Sequence, residues 1–175
     1  MSDLDGKNGT RRLGWGMTIG GWILLVGLLT LLFQDQLERV NNPNRSLQTT
    51  EDSQGVRQVV LNGNRAGHYL ATGSINGYEV AFLLDTGATD VAVPKKLADK
   101  IGLKQGVAFT SRTANGSVMA WRTTLDSVSI GGIEVESVRA SILPTLADGE
   151  VLLGMSFLKQ LEMIQRGGTL TLRQY

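Results

Sequence analysis

An uncharged apolar run near the N-terminus constrains the fold of this chain more than any other feature. It covers residues 13–33, which are 21 residues without a charged side chain. As an α-helix, with a rise of about 1.5 Å per residue, it would be about 30 Å long and match the hydrocarbon thickness of a bilayer. We therefore predict a single transmembrane helix. A cleaved signal peptide is the alternative, but the run is long for one, and residues 34–37 offer no small-residue cleavage site.

The charges that flank this run predict its orientation in a membrane. Three basic residues lie in the polar segment 1–12, whereas Arg39 and Arg45 follow the run. Positively charged flanks stay in the cytoplasm, so residues 1–12 are predicted to form a cytoplasmic tail. The chain would then be a single-pass membrane protein that contacts the lipid bilayer through residues 13–33. The remainder would lie on the extracytoplasmic, periplasmic side.

The rest of the chain divides by composition into a linker and one folded domain. Residues 34–55 are rich in Asn, Gln, Ser and Thr, contain Pro43 and lack periodicity, which predicts a flexible linker. From residue 56 onward, short apolar segments alternate with turns. The chain has 22 glycines and few aromatic residues, which is typical of short strands joined by tight turns. We predict one all-β domain over residues 56–175.

The periodicity and turn signals place the elements of this domain. Asn-Gly pairs at 76–77 and 115–116 predict two hairpins. The predicted strands cover residues 56–61, 68–75, 78–84, 91–93, 109–113, 117–122, 125–130, 133–142, 151–154, 162–165 and 169–173. The predicted short helices cover residues 95–101 and 155–161.

Charge and composition exclude several classes of function. The chain has 17 Lys and Arg residues against 16 Asp and Glu residues, so it has no basic field for binding nucleic acid. It has no cysteine and a single histidine, His68. Disulfides, thiol chemistry and metal sites built from cysteine or several histidines are therefore excluded. We predict no metal and no cofactor.

A carboxylate at the end of an apolar strand is the first candidate for chemistry. The apolar run 80–84 leads directly into Asp85, which is followed by Thr86, Gly87 and Ala88. Placing an ionisable group beside a core costs desolvation free energy, and folds rarely accept this cost without a use for the group. Asp85 is therefore the candidate catalytic residue, and the three residues after it are candidate supports of the active site.

Two further motifs accompany this acidic turn. One is the tip of the second predicted hairpin: Ala114, Asn115, Gly116 and Ser117. The other ends an apolar strand before a helical segment: Leu152, Leu153 and Gly154. In this order, the Asp-Thr-Gly-Ala turn, the hairpin and the apolar-apolar-Gly strand resemble the retropepsin-like aspartic proteases. This single-domain family includes the retroviral proteases, and the likeness is to its bacterial membrane-anchored members. The resemblance covers residues 56–175.

The resemblance implies a fold and an activity. The fold would be a closed β-barrel protomer with a flap hairpin and one or two short helices, preceded by the transmembrane helix. The activity would be hydrolysis of peptide bonds by a water held between two aspartates that share one proton. This chain carries one such motif, because none of its other aspartates is followed by Thr-Gly or Ser-Gly. The resemblance therefore implies a homodimer in which Asp85 faces its symmetry mate.

The resemblance also implies roles for the supporting residues. Thr86 would hydrogen-bond across the dimer axis, and Gly87 would allow close approach of the substrate backbone. The hairpin at residues 114–117 would be the flap that closes over a peptide. The second motif, at residues 152–154, would underlie the acidic loop.

One departure from the viral pattern stands next to the active-site motifs. Viral members carry an aspartate four residues after the catalytic one, and it pairs with an arginine directly after the second glycine. This chain has Thr89 and Met155 at those positions, so both halves of the ion pair are absent. A predicted C-terminal hairpin also replaces the single terminal strand of the viral proteases. The alternative function is a catalytically silent, membrane-tethered module that binds a peptide or protein on the same fold.

Overall fold

The computed structural model describes residues 6–113, 116–147 and 149–175. The chain separates into two compact units, Met1–Arg39 and Val40–Tyr175. The helix α1 runs over Gly6–Asn41 and contains the predicted apolar run. Its stretch Trp15–Phe33 is long and apolar enough to cross a membrane, and none of it is buried against protein. The predicted helix is confirmed, and it is a candidate membrane span.

The second unit consists almost entirely of strands. Its strands are β1 (Thr49–Glu51), β2 (Arg57–Asn62), β3 (Leu70–Ile75), β4 (Tyr78–Leu84), β5 (Val91–Pro94), β6 (Ala108–Thr113), β7 (Gly116–Ile130), β8 (Ile133–Leu143), β9 (Glu150–Leu153), β10 (Glu162–Arg166) and β11 (Thr169–Gln174). Its short helices are α2 (Lys95–Lys100) and α3 (Met155–Leu158).

The strands form two sheets, and the larger sheet closes on itself. The smaller has four strands in the order β1-β2-β11-β10. The larger has seven strands in the order β3-β4-β9-β5-β8-β7-β6, and an additional pairing of β3 with β7 closes six of them into a barrel. The strand β6 extends from this barrel as a hairpin with the first part of β7. The predicted all-β class, with a closed barrel, a hairpin and short helices, is confirmed.

Alternation of side chains along the strands builds a single core between the sheets. In β2, Val59 and Leu61 are fully buried, whereas Val60 between them is exposed. This period of two is the signature of a strand with one buried face. Val59 and Leu61 join the same buried cluster as Phe82 of β4 and Phe157 of α3. The small sheet therefore packs on the barrel through one shared core.

The segment 34–55 differs from its prediction as a flexible linker. The helix α1 continues to Asn41, and β1 pairs antiparallel with β2. Residues from Val40 onward belong to the compact β unit. The polar composition of this segment predicts a solvated tether, but its side chains form specific hydrogen bonds with the domain instead.

Asn44 is the centre of these hydrogen bonds. Its side chain is almost completely buried, with 2% exposed. Its amide nitrogen donates to the carbonyl oxygens of Asn62 (2.9 Å) and Leu70 (2.6 Å), and its amide oxygen accepts from the backbone N–H of Asn62 (2.7 Å). One side chain therefore joins the end of β2 to the start of β3, and this explains why a polar segment packs on the barrel.

Three element boundaries also differ from the sequence predictions. The strands expected at 117–122 and 125–130 are one continuous strand, β7, because β-branched residues at 123–124 continue the pleat. The strand expected from residue 68 begins at Leu70, because two hydrogen bonds with Asn64 hold His68 in a turn. The His68 carbonyl oxygen accepts from the Asn64 N–H (2.8 Å), and the His68 N–H donates to Asn64 Oδ1 (3.0 Å). The helix expected to reach residue 161 ends at Leu158, where tight turns follow.

Candidate active site

The acidic turn follows directly from the end of β4. The backbone N–H of Asp85 donates to the carbonyl oxygen of Leu153 (3.1 Å), and the N–H of Ala88 donates to the carbonyl oxygen of Asp85 (3.2 Å). The N–H of Gly87 donates to Oδ1 of Asp85 (2.9 Å). The Asp85 side chain is half-buried, whereas Thr86 and Gly87 are exposed. The backbone therefore fixes the carboxylate while leaving it accessible from the surface.

The second motif lies directly against this turn. Strands β4 and β9 are parallel neighbours, with Leu84 opposite Leu153. A Cβ atom at Gly154 would lie 2.3 Å from the carbonyl oxygen of Asp90 and 2.7 Å from that of Ala88. Real Cβ atoms do not approach backbone this closely, so only glycine fits between β9 and the acidic loop. Residues 152–154 therefore pack directly against the acidic loop.

The start of α3 fastens the far side of the loop. The N–H of Met155 donates to the carbonyl oxygen of Ala88 (2.8 Å), and the N–H of Ser156 donates to that of Thr89 (2.9 Å). The buried Ser156 hydroxyl donates to the carbonyl oxygen of Arg139 (2.7 Å) and accepts from the N–H of Val91 (3.0 Å). Both ends of the acidic loop are thus hydrogen-bonded to neighbouring elements, which restricts the position of Asp85.

A cavity of about 810 Å³ connects the acidic turn to the hairpin of β6 and β7. Asp85 lines this cavity together with residues of the hairpin, such as Phe109 and Val118. The end of β8 and the segment after it contribute Leu143 and Leu146. The cavity therefore has a carboxylate on one wall and a mixture of apolar and polar side chains on the others.

The structure brings together some of the predicted site residues and not others. The cavity is lined by Asp85, Gly87, Ala88 and Leu152. Leu153 and Gly154 support the acidic turn through the backbone contacts given above. Gly116 and Ser117 are exposed and pair with β6 near the hairpin tip, and Ala114 and Asn115 lie outside the described residues. Within the described ranges, His, Asp and Glu side chains form no group of three that could hold a metal ion.

Comparison with known proteins assigns the chain to a family. The family model described as "gag-polyprotein putative aspartyl protease" matches residues 71–160, just over half of the chain. The chain belongs to this aspartyl protease family. The matched region begins in β3 and ends just after α3, so it contains the acidic turn, the hairpin and the second motif. The resemblance to retropepsin-like proteases is confirmed.

Individual relatives extend the likeness beyond the matched region. An uncharacterized protein in the cobV 5' region of Sinorhizobium sp is 35% identical over 167 residues, which are 88% of this chain and 71% of that protein. An uncharacterized protein of Rickettsia prowazekii is 32% identical over 109 residues, 60% of this chain and 46% of that protein. A crystal structure of a retropepsin-like aspartic protease from Rickettsia conorii is 28% identical, with a TM-score of 0.57 over 74% of this chain and 94% of that one.

A charged pair that the sequence analysis did not single out lies in the cavity of this retropepsin-like protease. Arg139 Nη2 lies 3.4 Å from Asp90 Oδ1, and the Asp90 side chain is the less accessible, with 18% exposed against 63%. Both residues line the cavity. The viral pairing is absent at Thr89 and Met155, but this chain has an ion pair one residue further along the loop. No sequence signal links Asp90 to Arg139, because only the parallel pairing of β5 with β8 brings them together.

Proposed function

We propose that this chain is a membrane-anchored aspartic endopeptidase in which two copies combine their Asp85 carboxylates into one catalytic dyad. The observation that carries this proposal is the placement of Asp85 on the wall of an 810 Å³ cavity. Within the described ranges, one other aspartate lines the cavity, and this residue, Asp90, forms an ion pair with Arg139. The second carboxylate of the dyad therefore comes from a symmetry-related copy. The exposure of Thr86 and Gly87 supports this arrangement, because they leave the turn open to a partner.

The dyad would act by dividing the two proton transfers between its carboxylates. Two carboxylates held close together cannot both ionise, so they share one proton. The Asp85 of one copy is ionised and takes a proton from a water as this water attacks the scissile carbonyl carbon. The Asp85 of the other copy is protonated and gives its proton to the carbonyl oxygen. The carboxyl that took the proton from water then gives it to the amide nitrogen as the C–N bond breaks, and the other carboxylate takes a proton from a hydroxyl of the tetrahedral intermediate, which restores the shared proton. The products are a free carboxyl and a free amino terminus.

The hairpin of β6 and β7 would hold the peptide above the dyad. Its residues line the same cavity as Asp85. A hairpin that closes over a bound peptide excludes bulk water and orients the scissile bond. The tip residues at 114–117 are the part proposed to close.

The apolar helix would place this active site outside the cytoplasm. The uncharged stretch Trp15–Phe33 supports a membrane span, and the basic residues before it support a cytoplasmic N-terminus. The proposed division of the chain is a tail at 1–12, a span at 13–33 and a protease domain in the β unit. Peptides or proteins on the periplasmic side would then be its substrates.

Replacement of the proposed catalytic group tests this function most simply. Purified full-length Asp85→Asn should cleave a mixture of peptides at least about a thousandfold more slowly than the parent chain, because asparagine cannot exchange a proton with the water. Asp99→Asn is the matched control, since Asp99 forms only an exposed pair with Lys95 on α2. Cleavage by Asp85→Asn at the parent rate would refute the assignment.

A further inference from the structure

The charged residues that line the Asp85 cavity are predominantly cationic. Among the residues that the structure describes, five ionisable side chains line it: Asp85, Asp90, Arg112, Arg122 and Arg139. The ion pair between Asp90 and Arg139 neutralises one charge of each sign. Two guanidinium groups, those of Arg112 and Arg122, then remain against Asp85.

Neither of these two arginines has an acidic partner in the described part of the chain. Arg112 lies on β6 opposite Ser117, near the hairpin tip, and its side chain is exposed. The Arg122 guanidinium lies 4.9 Å from the centroid of the Phe109 ring, which also lines the cavity. Stacking on an aromatic ring restricts the orientation of a guanidinium but leaves its charge and its edge donors available. Both guanidinium groups can therefore donate hydrogen bonds to a carboxylate of a ligand.

The positive charge belongs to the cavity and not to the molecule as a whole. The chain is nearly neutral, with 17 basic against 16 acidic residues. In the proposed dimer the dyad shares one proton, so each protomer supplies on average half a negative charge from Asp85. Each protomer also supplies two unpaired guanidinium groups. A cleft with an excess of one sign of charge attracts ligands of the opposite sign.

We infer that the cleft selects peptide substrates that carry aspartate or glutamate side chains close to the cleaved bond. Arg112 and Arg122 bind these carboxylates, and the two-fold symmetry of the dimer places such contacts on both sides of the scissile bond. Guanidinium groups form short, charge-assisted hydrogen bonds with carboxylates, and a closed hairpin strengthens them by excluding water. This inference rests on the proposed endopeptidase function, because it names the substrate class of that same site.

Two matched peptide libraries test the inference. Both are quenched-fluorescent decapeptides with randomised apolar residues at the centre, and the positions on either side carry Glu in one library and Gln in the other. The full-length chain in uncharged detergent should cleave the Glu library with a kcat/KM about tenfold higher than the Gln library. The preference should decrease as salt is added, because salt screens charges that solvent can reach.

Variants of Arg112 and Arg122 test whether these two side chains cause the preference for Glu peptides. The double variant Arg112→Gln, Arg122→Gln should cleave the Glu and Gln libraries with equal kcat/KM values. Arg166→Gln is the matched control, because Arg166 is exposed on β10 and does not line the cavity. Arg122→Lys keeps the charge and is expected to retain part of the preference. A Glu preference that survives in the double variant would overturn the inference.

Binding to a variant that cannot cleave separates this inference from the proposed function. Full-length Asp85→Asn is titrated with labelled, unquenched versions of both libraries, and binding is followed by fluorescence anisotropy. Cleavage of both libraries at equal rates would overturn the charge selectivity and leave the endopeptidase function intact. Tighter binding of Glu peptides without cleavage by the parent chain would overturn the endopeptidase function and leave the selectivity intact. Neither cleavage nor a binding preference would overturn both.

Discussion

At the scale of single residues, the backbone positions the Asp85 carboxylate. Its Oδ1 atom accepts from the N–H of Gly87, and its own N–H is bound by the carbonyl oxygen of Leu153. These partners are part of the turn and of β9, so they do not depend on the protonation of another side chain. Backbone groups of the turn and of β9 therefore set the position of the Asp85 side chain.

Gly154 packs against the backbone of this turn. In Gly154→Ala the new methyl group would lie 2.3 Å from the carbonyl oxygen of Asp90 and 2.7 Å from that of Ala88, both of them backbone atoms. We expect a loss of at least about 2 kcal/mol in the free energy of unfolding, because the loop must move to admit the methyl group. Thermal unfolding of the full chain in detergent measures this loss.

The control for this variant is another glycine to alanine change. A Cβ atom at Gly21 of α1 would have no heavy atom within 4 Å. Gly21→Ala should therefore leave the unfolding of the β unit unchanged. Equal unfolding temperatures for the two variants would show that the acidic loop admits a methyl group at residue 154 without loss of stability, and would contradict this prediction.

At the scale of elements, the segment between α1 and β2 is part of the domain. Asn44 is buried and joins β2 to β3, and β1 adds a fourth strand to the small sheet. A protease domain cut at residue 56 would lose both features. Designs that remove the candidate membrane span should therefore keep the chain from Val40 onward.

Replacement of Asn44 measures how much this segment contributes. Asn44→Ala removes three hydrogen bonds and leaves the backbone groups of Asn62 and Leu70 without these partners. At roughly 1 kcal/mol for each bond, the free energy of unfolding should fall by about 3 kcal/mol. Gln48→Ala, an exposed change in the same segment, should alter it by less than about 0.5 kcal/mol. Chemical denaturation of both variants tests this difference, and equal stabilities would contradict it.

A hydrogen bond between Tyr175 and Glu162 joins the two ends of the C-terminal hairpin and makes the stability of the fold depend on pH. The Tyr175 hydroxyl donates to Glu162 Oε2 (2.7 Å), and Arg173 Nη1 lies 2.9 Å from the same oxygen. The Tyr175 hydrogen bond, with a further contribution from Arg173, lowers the pKa of Glu162 below its ordinary value of 4.5. A lowered carboxyl pKa stabilises the fold above pH 4.5, and this contribution is lost as the pH falls through the lowered pKa.

Removal of the tyrosine hydroxyl tests this contact. Tyr175→Phe should raise the pKa of Glu162 towards 4.5, since the largest cause of its lowering is removed. Carbon-13 NMR titration of the glutamate carboxyls measures the change. Tyr78→Phe on β4, another exposed tyrosine, should leave the Glu162 titration unchanged. A Glu162 pKa that is equal in all three proteins would contradict the assignment.

Features of the fold that depend on neighbouring residues were predictable from the sequence. Short-range signals, such as the Asn-Gly pair at 76–77 and the apolar run 80–84, predicted the strands β3 and β4 and their hairpin, because these depend on neighbours along the chain. The acidic turn was predictable because its residues are contiguous. Two features were not: the burial of Asn44 and the pairing of Asp90 with Arg139 depend on strands that are distant in sequence. Nothing local distinguishes these polar residues from solvated ones.

At the scale of the whole molecule, the proposed activity depends on the association of two chains. In the described residues each copy presents one carboxylate of the acidic-turn type, so a dissociated protomer would lack half of the dyad. A membrane anchor raises the effective concentration of protomers by confining them to one surface. Weak association of the β unit would then suffice in the bilayer, and dilution in detergent should lower the activity per chain.

The most direct test of the two-chain active site is a mixing experiment. Parent chain is co-expressed with increasing amounts of Asp85→Asn, and peptide cleavage is measured per parent chain. If the dyad takes one Asp85 from each copy, an equal amount of Asp85→Asn should reduce this activity to about half and a threefold excess to about a quarter, because mixed dimers lack one carboxylate. Activity per parent chain that stays constant at every ratio would contradict the homodimeric dyad.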